Sequence, residues 1–285
     1  MRSSAAITLP APASLAQSLA TKVPGFVAID WVEEVSSTNT SLLSLARAQG
    51  LQAGWPRLLG AHHQTQGKGR LGRTWLDVPG QTLMFSAGFM LPAGQSLANL
   101  MGLGPAVGMA SVLALRPMLA EPARLRVKWP NDLMLDDGKC AGILIELVVK
   151  ANTKFVVIGM GLNLSGNDRL SNELHRKVAV IAPNLRPGTT ACSLVAGLAS
   201  SWQQTLSQVN STGFASCQAD YVELDYLAGQ AVTIVDQGHT ISAGIASGLG
   251  PDGSLQVQTA QGIETFHAGD VSVRLNSTNS QTNQT

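Results

Sequence analysis

Residues 62–75 read HHQTQGKGRLGRTW, and the seven residues from Gly67 to Arg73 hold three glycines and three positive charges. Only 19 of the 285 residues are Lys or Arg, so positive charge is concentrated here. Glycine amides can turn toward an anion without a Cβ in the way, and Lys and Arg add donors suited to carboxylate and phosphate. The stretch predicts a loop that orders and closes over a small anionic ligand. The plainer interpretation is a solvated basic turn.

Two familiar nucleotide-binding motifs do not fit this loop. A Walker loop needs a glycine five residues before the Gly-Lys pair and a Ser or Thr after it, whereas His62 and Gly69 hold those positions. Residues 67–72 match the letters of the dinucleotide fingerprint, but that motif must open a helix, and here Pro79-Gly80 follows closely. The letters alone are therefore weak support for a nucleotide site of either kind.

The composition is that of a globular protein able to fill its own core. Apolar residues make up 45% of the chain, charged residues 13%, and the formal net charge is +1. This balance argues against general affinity for nucleic acid or anionic membranes, so we expect neither DNA nor a membrane as a partner. The three cysteines lie far apart and lack metal-ligand spacing to histidines. They predict reduced thiols, a cytoplasmic location and no fixed metal site.

Composition divides the chain into four parts. Residues 1–25 are rich in Ala, Ser and Pro and predict a flexible N-terminal segment without a signal peptide. Residues 26–227 carry both strand and helix patterns and predict the main domain. Residues 228–275 alternate polar and apolar positions between Gly-rich turns, which predicts a small all-β barrel. Residues 276–285 have little to bury and predict a disordered tail.

Patterning also predicts the elements of the main domain. Strands are expected at 26–32, 58–63, 82–89, 124–129, 141–149 and 155–164. Helices are expected after the capping residues 36–39, at 96–119 with a kink at Pro105, and at 191–209 and 214–227. Residues 165–190 are polar and predict a long, mobile surface segment.

Three further stretches combine polar or charged residues with glycine or a turn. KWPND at 128–132 puts a cation, an aromatic ring and a carboxylate around a turn; a structural turn with a capping Asp is the plainer interpretation. KCAGILIE at 139–146 begins with Lys139 at a predicted hairpin tip, residues 136–139, where a lysine is usually just solvated. GMGLN at 159–163 places two glycines and an amide at a strand end, which a β-bulge would also explain.

Taken together, these stretches resemble the biotin protein ligases. That family carries a GRGRxGRxW loop, a KWPND turn, a KxAGILxE hairpin and a GxGxN strand end in this order, and an STN helix start that matches residues 37–39 here. The resemblance spans residues 26–275. It implies an α/β (α+β) catalytic domain, residues 26–227, around a mixed central β-sheet. It also implies that residues 228–275 form a small SH3-like β-barrel.

The resemblance also implies a reaction in two steps. Biotin and ATP, with Mg²⁺, give biotinyl-5′-AMP and pyrophosphate. One lysine of a biotin carboxyl carrier protein, a subunit of acetyl-CoA carboxylase, then attacks the adenylate. Members of the family can also form a homodimer through the sheet.

Site residues carry over position by position. The resemblance implies biotin contacts at Ser37, Thr38, Asn39, Gln64, Gly67, Lys68, Gly69, Arg70, Lys139 and Gly142. It implies nucleotide contacts at Arg73, Trp75, Lys128, Asp132 and Asn163. It assigns catalysis to Lys139, Arg70 and Asp132, and no fixed protein site to a metal.

Two departures qualify the resemblance. Lys68 stands where the family has its first loop arginine, which keeps the charge but loses the two-pronged donor. Only about 25 residues precede the first predicted strand, too few for the DNA-binding domain of many bacterial relatives, so a ligase without repressor activity is expected. The alternatives are a lipoate or octanoyl transferase, a biotin-responsive regulator and a catalytically dead biotin-binding module.

Overall fold

The computed structural model describes residues 7–92, 97–166, 171–172, 177–269 and 271–276. The helices within these ranges are α1 (Pro12–Lys22), α2 (Thr38–Gln49), α3 (Leu103–Leu115), α4 (Ala191–Thr212) and α5 (Gln218–Val222). The strands of the first sheet are β1 (Ala28–Val35), β2 (Arg57–Gln64), β3 (Thr82–Leu91), β4 (Leu125–Lys128), β5 (Asp132–Leu135), β6 (Gly138–Lys150) and β7 (Thr153–Asn163). Those of the second sheet are β8 (Ala231–Asp236), β9 (His239–Leu249), β10 (Leu255–Thr259), β11 (Gly262–Phe266) and β12 (Ser272–Leu275).

The first sheet has the strand order β1-β2-β3-β7-β6-β5-β4. β1 and β2 are parallel and the other neighbours antiparallel, so the expected mixed sheet is confirmed. Side chains alternate between the two faces of a strand. Phe155 and Val157 of β7 pack with α2, whereas Val156 and Ile158 belong to the larger core with α3 and α4. The helices therefore cover both faces of the sheet.

The N-terminal segment is not flexible throughout, and that prediction is wrong for residues 12–22. These residues form α1, with Pro12 in the first turn, where its missing N–H costs nothing. Leu15 and Leu19, one turn apart, are fully buried. Burying each leucine side chain stabilises the fold by about 1.5–3 kcal/mol. A segment of Ala, Ser and Pro alone would not gain this free energy. Residues 1–6 lie outside the described part.

Two predicted helices are shorter than expected. α3 begins at Leu103 rather than 96, and Pro105 lies in its first turn, so the expected kink is absent from the described helix. After α4, residues 214–217 form a 3-10 turn and α5 ends at Val222. The helix stops there because the following residues pair with β4: Val127 N donates to the Leu224 carbonyl at 2.8 Å.

Part of the segment predicted to be mobile surface is packed. Ile181 is fully buried and Val178 nearly so. Ala179 N donates to the Lys139 carbonyl at 3.0 Å, and Lys139 N donates to the Lys177 carbonyl at 3.2 Å. Residues 177–179 therefore line the start of β6, and Ile181 N donates to the Asn163 carbonyl at the end of β7 at 3.0 Å. The surface prediction is wrong for Val178, Ile181 and Ala182, which are buried, whereas Lys177 is exposed. Residues 167–170 and 173–176 lie outside the described residues.

The second sheet is all-β and antiparallel, with the order β11-β10-β9-β8-β12. This confirms an all-β C-terminal domain after the catalytic domain. Its described strands form an open sheet, so the SH3-like barrel stays a prediction, as do the domain boundaries. The disordered tail was predicted for 276–285, and residues 277–285 are outside the described part.

Cys140, Cys192 and Cys217 are buried and free of disulfide bonds. Burial raises the pKa of the Cys140 thiol to about 12. Within the described ranges, no helix is long and apolar enough to cross a membrane.

Asp225 is a buried carboxyl beside β4, in the segment that leads from α5 to the second sheet. Tyr226 N donates to the Val127 carbonyl at 2.7 Å, and Asp225 Oδ1 accepts the N–H of Leu227 at 2.8 Å. Burial raises the pKa of Asp225 to about 6, although the Leu227 N–H and the charge of Arg126 act to lower it. The ionised carboxylate is therefore a local cost to folding.

We expect Asp225→Asn to stabilise the protein at pH 8 and to lose most of that gain at pH 4.5. The folded state holds the Asp225 proton more tightly than a carboxyl with the usual pKa of 3.8, so the free energy of unfolding falls as pH rises between the two values. The expected gain at pH 8 is on the order of 1–3 kcal/mol. Urea denaturation at both pH values checks this, and an equal gain at both would contradict it.

Candidate functional site

The predicted site residues converge on one pocket beside the first sheet, under the glycine loop. The pocket has a volume of about 150 Å³ and is also lined by Ser272 and Val273 of the second sheet. The predicted residues that line it are Ser37, Thr38, Asn39, Gln64, Lys68, Gly69, Arg70, Arg73, Trp75, Lys128, Asp132, Lys139 and Gly142. Gly67 and Asn163 are the predicted residues outside this lining.

The glycine loop, residues 67–75, folds back on itself like a hairpin. Gly69 N donates to the Arg73 carbonyl at 2.7 Å, and Trp75 N donates to the Gly67 carbonyl at 2.9 Å. Leu71 at the tip has φ 55° and is 56% exposed, and Gly72 has φ 70°. A Cβ on Gly67 would lie 2.6 Å from the Trp75 carbonyl oxygen. Gly67 therefore permits the close crossing of the two arms and does not line the pocket.

Arg70 ties the loop to the second sheet. Its guanidinium donates to Asn131 Oδ1 at 3.2 Å, to the Ala268 carbonyl, and to the Val271 carbonyl at 3.5 Å. Burial lowers the pKa of Arg70 from its usual value, while the charge of Asp132 opposes that effect. A half-buried cation thus faces the pocket with backbone oxygens on one side.

Arg73 makes a second link between the loop and this sheet. Its guanidinium donates to Ser272 Oγ at 3.2 Å. The turn before β12 and the start of that strand therefore hold the loop at two arginines. Sequence reasoning missed this role because residues 268–272 show only turn and strand patterning.

Lys139 and Asp132 form the charged pair of the pocket. Lys139 Nζ lies 2.5 Å from Asp132 Oδ1, with 16% and 25% of the two side chains exposed. The ammonium is also 5.5 Å from the ring centroid of Trp75. Lys139 was predicted at a hairpin tip, whereas the structure places it as the second residue of β6, next to a register shift opposite β5. This register shift places Lys139 beside Asp132, the first residue of β5.

Asn163 lies behind Lys139 instead of in the pocket. Its buried side chain donates from Nδ2 to the Lys139 carbonyl at 3.4 Å. Asn163 ends β7 and pairs with Thr82. It is placed to hold the start of β6, and so the position of Lys139.

Trp75 sits in a slot made by two glycines. A Cβ on Gly161 would lie 2.2 Å from Trp75 Cε2, and a Cβ on Gly142 would lie 2.9 Å from Cζ3. Pairing from Gly159 to Asn163 is regular on both sides, so the β-bulge alternative for this strand end is wrong. The space left by the missing Cβ of Gly142 is therefore filled by the Trp75 indole.

A polar network closes the opposite end of the pocket. Ser37 caps α2, and its side chain accepts from Thr40 N at 3.4 Å. Gln64 Oε1 accepts from Thr38 N at 2.7 Å. Ser86 Oγ lies 2.7 Å from Thr38 Oγ1 and donates to Asn39 Oδ1 at 2.5 Å.

Sequence reasoning missed Ser86 and Glu146. Ser86 is a fully buried hydroxyl within β3, whose other residues there are apolar. Glu146 Oε2 accepts from Asn39 Nδ2 at 2.9 Å. A lone serine in an apolar strand and a carboxylate in ILIELVV were the available signals, because buried polar groups need partners.

Two family models match the chain. Residues 31–163 match the Biotin/lipoate A/B protein ligase family, and residues 228–274 match the Biotin protein ligase C terminal domain. The matches fall on the first and second sheets respectively.

Curated relatives match across both parts. The bifunctional ligase/repressor BirA of Escherichia coli (strain K12) is 30% identical over 244 residues, covering 84% of this chain and 72% of the relative. The biotin–acetyl-CoA-carboxylase ligase of Paracoccus denitrificans is 29% identical over 255 residues, covering 82% of this chain and 96% of the relative.

The fold is that of solved biotin protein ligases. The enzyme from Aquifex aeolicus in complex with biotin and ATP superposes with a TM-score of 0.70 at 23% identity, covering 88% of this chain and 100% of the other.

We expect Gly161→Ala to free the glycine loop. The new methyl group cannot share the slot with Trp75, so the indole must leave and the loop loses its anchor. Trypsin should then cut after Lys68, Arg70 or Arg73 at least tenfold faster, as followed by mass spectrometry. Gly25→Ala is the control, since its Cβ would come no nearer than 3.6 Å to the Gln203 side chain. Unchanged cleavage in Gly161→Ala would contradict the slot.

Proposed function

The chain belongs to the biotin protein ligase family, and we propose that this pocket joins biotin to ATP and passes the biotinyl group to a carrier lysine. It is an ATP-dependent biotin–protein ligase with biotin and ATP as substrates. The polarity of the pocket carries the assignment to these residues. Thr38 and Gln64 offer neutral hydrogen-bonding groups at one end, and Lys139 and Arg70 offer cations at the other. Biotin has the same polarity, with a cyclic urea at one end and a carboxylate at the other.

In the first step, a carboxylate oxygen of biotin attacks the α-phosphorus of ATP. The new C–O–P bond forms as the bond to the bridging oxygen of pyrophosphate breaks. Negative charge develops on the phosphoryl oxygens, and Lys139 and Arg70 stabilise it. Fixed cations in a half-buried pocket act strongly because water screens them little.

In the second step, the amine of the carrier lysine attacks the carbonyl carbon of biotinyl-5′-AMP. The amide bond forms, the bond to the phosphate oxygen breaks, and AMP leaves. Asp132 accepts the proton that the attacking nitrogen loses, and its 2.5 Å contact with Lys139 keeps the carboxylate aimed at the reacting centre.

The remaining residues divide between the two ends of the pocket. Ser37, Thr38, Asn39 and Gln64 shape the ureido end, and Lys68 and Gly69 close over the carboxylate. Arg73, Trp75 and Lys128 face the nucleotide. Gly67, Gly142 and Asn163 act indirectly, because the first two make room for the loop and Trp75, and Asn163 holds β6.

The loop also protects the intermediate. A mixed anhydride hydrolyses in water, so a loop that covers the pocket preserves it. Lys68 adds a positive charge to this loop through a single ammonium group. An arginine guanidinium would offer two parallel donors, so we expect Lys68 to bind the adenylate more weakly.

Mg²⁺ would enter with ATP. Within the described ranges, no group of three His, Cys, Asp or Glu side chains could hold a metal ion. Asp132 at the pocket is a suitable carboxylate for an ion whose other ligands are phosphate and water.

The finer features of the family extend the proposal. The carrier is the biotin carboxyl carrier protein of acetyl-CoA carboxylase, and the reaction takes place in the cytoplasm, which suits three free buried thiols. The second sheet is a variant of a small SH3-like barrel. Residues 26–227 form the catalytic domain and 228–275 the C-terminal domain.

A homodimer is the proposed assembly. On the α3 side of the sheet, Leu147 is 40% exposed, Val149 56% and Met101 51%. Leu147 and Met101 line a cavity of about 380 Å³, together with Ile145 and Val156. Contiguous exposed apolar surface of this kind is typical of interfaces.

We expect pyrophosphate exchange into ATP that depends on biotin and does not occur with lipoate. Lys139→Ala should lower the exchange rate about 10²–10³-fold, since it removes a cation aimed at the developing charge. Lys22→Ala, on the exposed face of α1, should leave the rate unchanged. Exchange driven by lipoate would favour the transferase alternative, and biotin binding without exchange would favour the dead module. Operator binding in a gel shift would favour the regulator.

We expect sedimentation velocity to show a dimer that Leu147→Asp converts to a monomer, because a charge cannot be buried there without a partner. Val222→Asp is the matched control, since Val222 is 63% exposed on α5 and does not line this cavity. A wild-type protein that stays monomeric with biotin and ATP would rule the dimer out.

A further inference from the structure

A chain of four side chains runs from the pocket to a carboxylate. Thr38 Oγ1 lies 2.7 Å from Ser86 Oγ, and Ser86 Oγ lies 2.5 Å from Asn39 Oδ1. Asn39 Nδ2 lies 2.9 Å from Glu146 Oε2 and 3.3 Å from the Leu144 carbonyl. Thr38, Asn39 and Ser86 are each at most 4% exposed, so water cannot substitute for these partners.

The carboxylate fixes the direction of every hydrogen bond in this chain. Glu146 and the Leu144 carbonyl only accept, so the donor end of the Asn39 amide must face them and Oδ1 must face Ser86. Oδ1 only accepts, so the single Ser86 proton must point to it. Ser86 Oγ then has no proton for Thr38 and must accept the Thr38 hydroxyl proton.

Thr38 Oγ1 is left as an acceptor toward the pocket. Its own proton is used on Ser86, and Gln64 Oε1, 3.1 Å away, already accepts the Thr38 backbone N–H at 2.7 Å. Gln64 Nε2 donates one hydrogen to Met84 Sδ at 3.3 Å and keeps a second hydrogen. An acceptor and a donor thus stand side by side, which matches the N–H and C=O of a cyclic urea.

We propose that Ser86 and Glu146 are positioning residues that make Thr38 an obligate hydrogen-bond acceptor and thereby select a ligand with an N–H at that point. The inference rests on the proposed function, because it assumes that biotin places its ureido end here. Neither residue needs to touch the ligand. They act through Asn39 and Thr38, by fixing which atom of each hydrogen bond donates the proton and which accepts it.

Gly159 keeps this chain in register. A Cβ there would lie 2.1 Å from Asn39 Oδ1 and 3.0 Å from Ser86 Oγ. Any larger residue would displace the amide that links Ser86 to Glu146. The first glycine of GMGLN is therefore packed against the relay, as Gly161 is packed against Trp75.

The test compares biotin with its two cyclic carbamate analogues, in each of which one ureido N–H is replaced by oxygen. Isothermal titration without ATP gives the three Kd values. An acceptor facing Thr38 is repelled, so wild-type protein should prefer biotin over one analogue by at least about tenfold, the cost of an unpaired buried polar group. Ser86→Ala should reduce that preference about tenfold, since the Thr38 proton is then free to turn toward the ligand. Glu146→Leu should reduce it by less, because the Leu144 carbonyl, 3.3 Å from Asn39 Nδ2, still favours the same orientation of the amide.

Two further variants separate positioning from stability. Glu146→Gln keeps an acceptor oxygen for Asn39 and should retain the preference. Ser111→Ala removes another fully buried hydroxyl, one that accepts from Trp202 Nε1 at 2.8 Å, and should lower stability without altering the preference. Glu146→Leu provides the test at a partly exposed position if Ser86→Ala does not fold.

The outcomes are distinct. A wild-type protein that does not bind biotin overturns the proposed function and this inference with it. Biotin binding with no preference over either analogue, or with the full preference kept in Ser86→Ala and Glu146→Leu, overturns only the positioning role. Equal loss in Glu146→Gln and Glu146→Leu also overturns it, because the acceptor oxygen would then be irrelevant.

Discussion

The packing of the Trp75 indole against Gly142 and Gly161 is the constraint on which the site depends. It brings the end of the glycine loop down onto β6 and β7, and it puts an aromatic face beside Lys139. Neither strand could carry a side chain at these two points without expelling the ring. The loop therefore has one place to land, and its cations reach the pocket because of where the tryptophan lies.

Residues of the second sheet complete the site. Arg70 and Arg73 are held by Ala268, Val271 and Ser272. Trp129 Nε1 donates to the Gly253 carbonyl at 3.0 Å. Both the loop and the turn after β4 are therefore fixed by groups from the second sheet. In the function that we propose, a ligand anion that recruits Arg70 competes with the Ala268 and Val271 carbonyls already bound to it.

The two ends of the pocket use different physics. At the cationic end, Lys139 and Asp132 are partly exposed and act through charge. At the opposite end, Thr38, Asn39 and Ser86 are buried and act through the direction of hydrogen bonds. A positive charge attracts any carboxylate. Hydrogen bonds of fixed direction, in contrast, bind only a ligand with the matching pattern of donors and acceptors. In the function that we propose, the cationic end serves the reaction and the polar end serves the choice of acid.

Sequence patterns were enough to predict the local parts: the glycine loop, the turn at 128–132, the strand at 155–164 and the cap at Ser37. Each follows from patterning, or from glycine and proline at short range. The family resemblance added most of the pocket lining, but sequence reasoning missed Ser86 and Glu146. It also mistook α1 for a flexible segment, and it did not show that Gly67 and Asn163 lie outside the pocket lining. The positions of these residues became visible only in the folded chain, because they depend on contacts between residues far apart in sequence. Asn39 meets Glu146 across 107 residues and Arg70 meets Ala268 across 198. A hydroxyl in an apolar strand reveals that it needs a partner, but only the folded chain shows which partner it has.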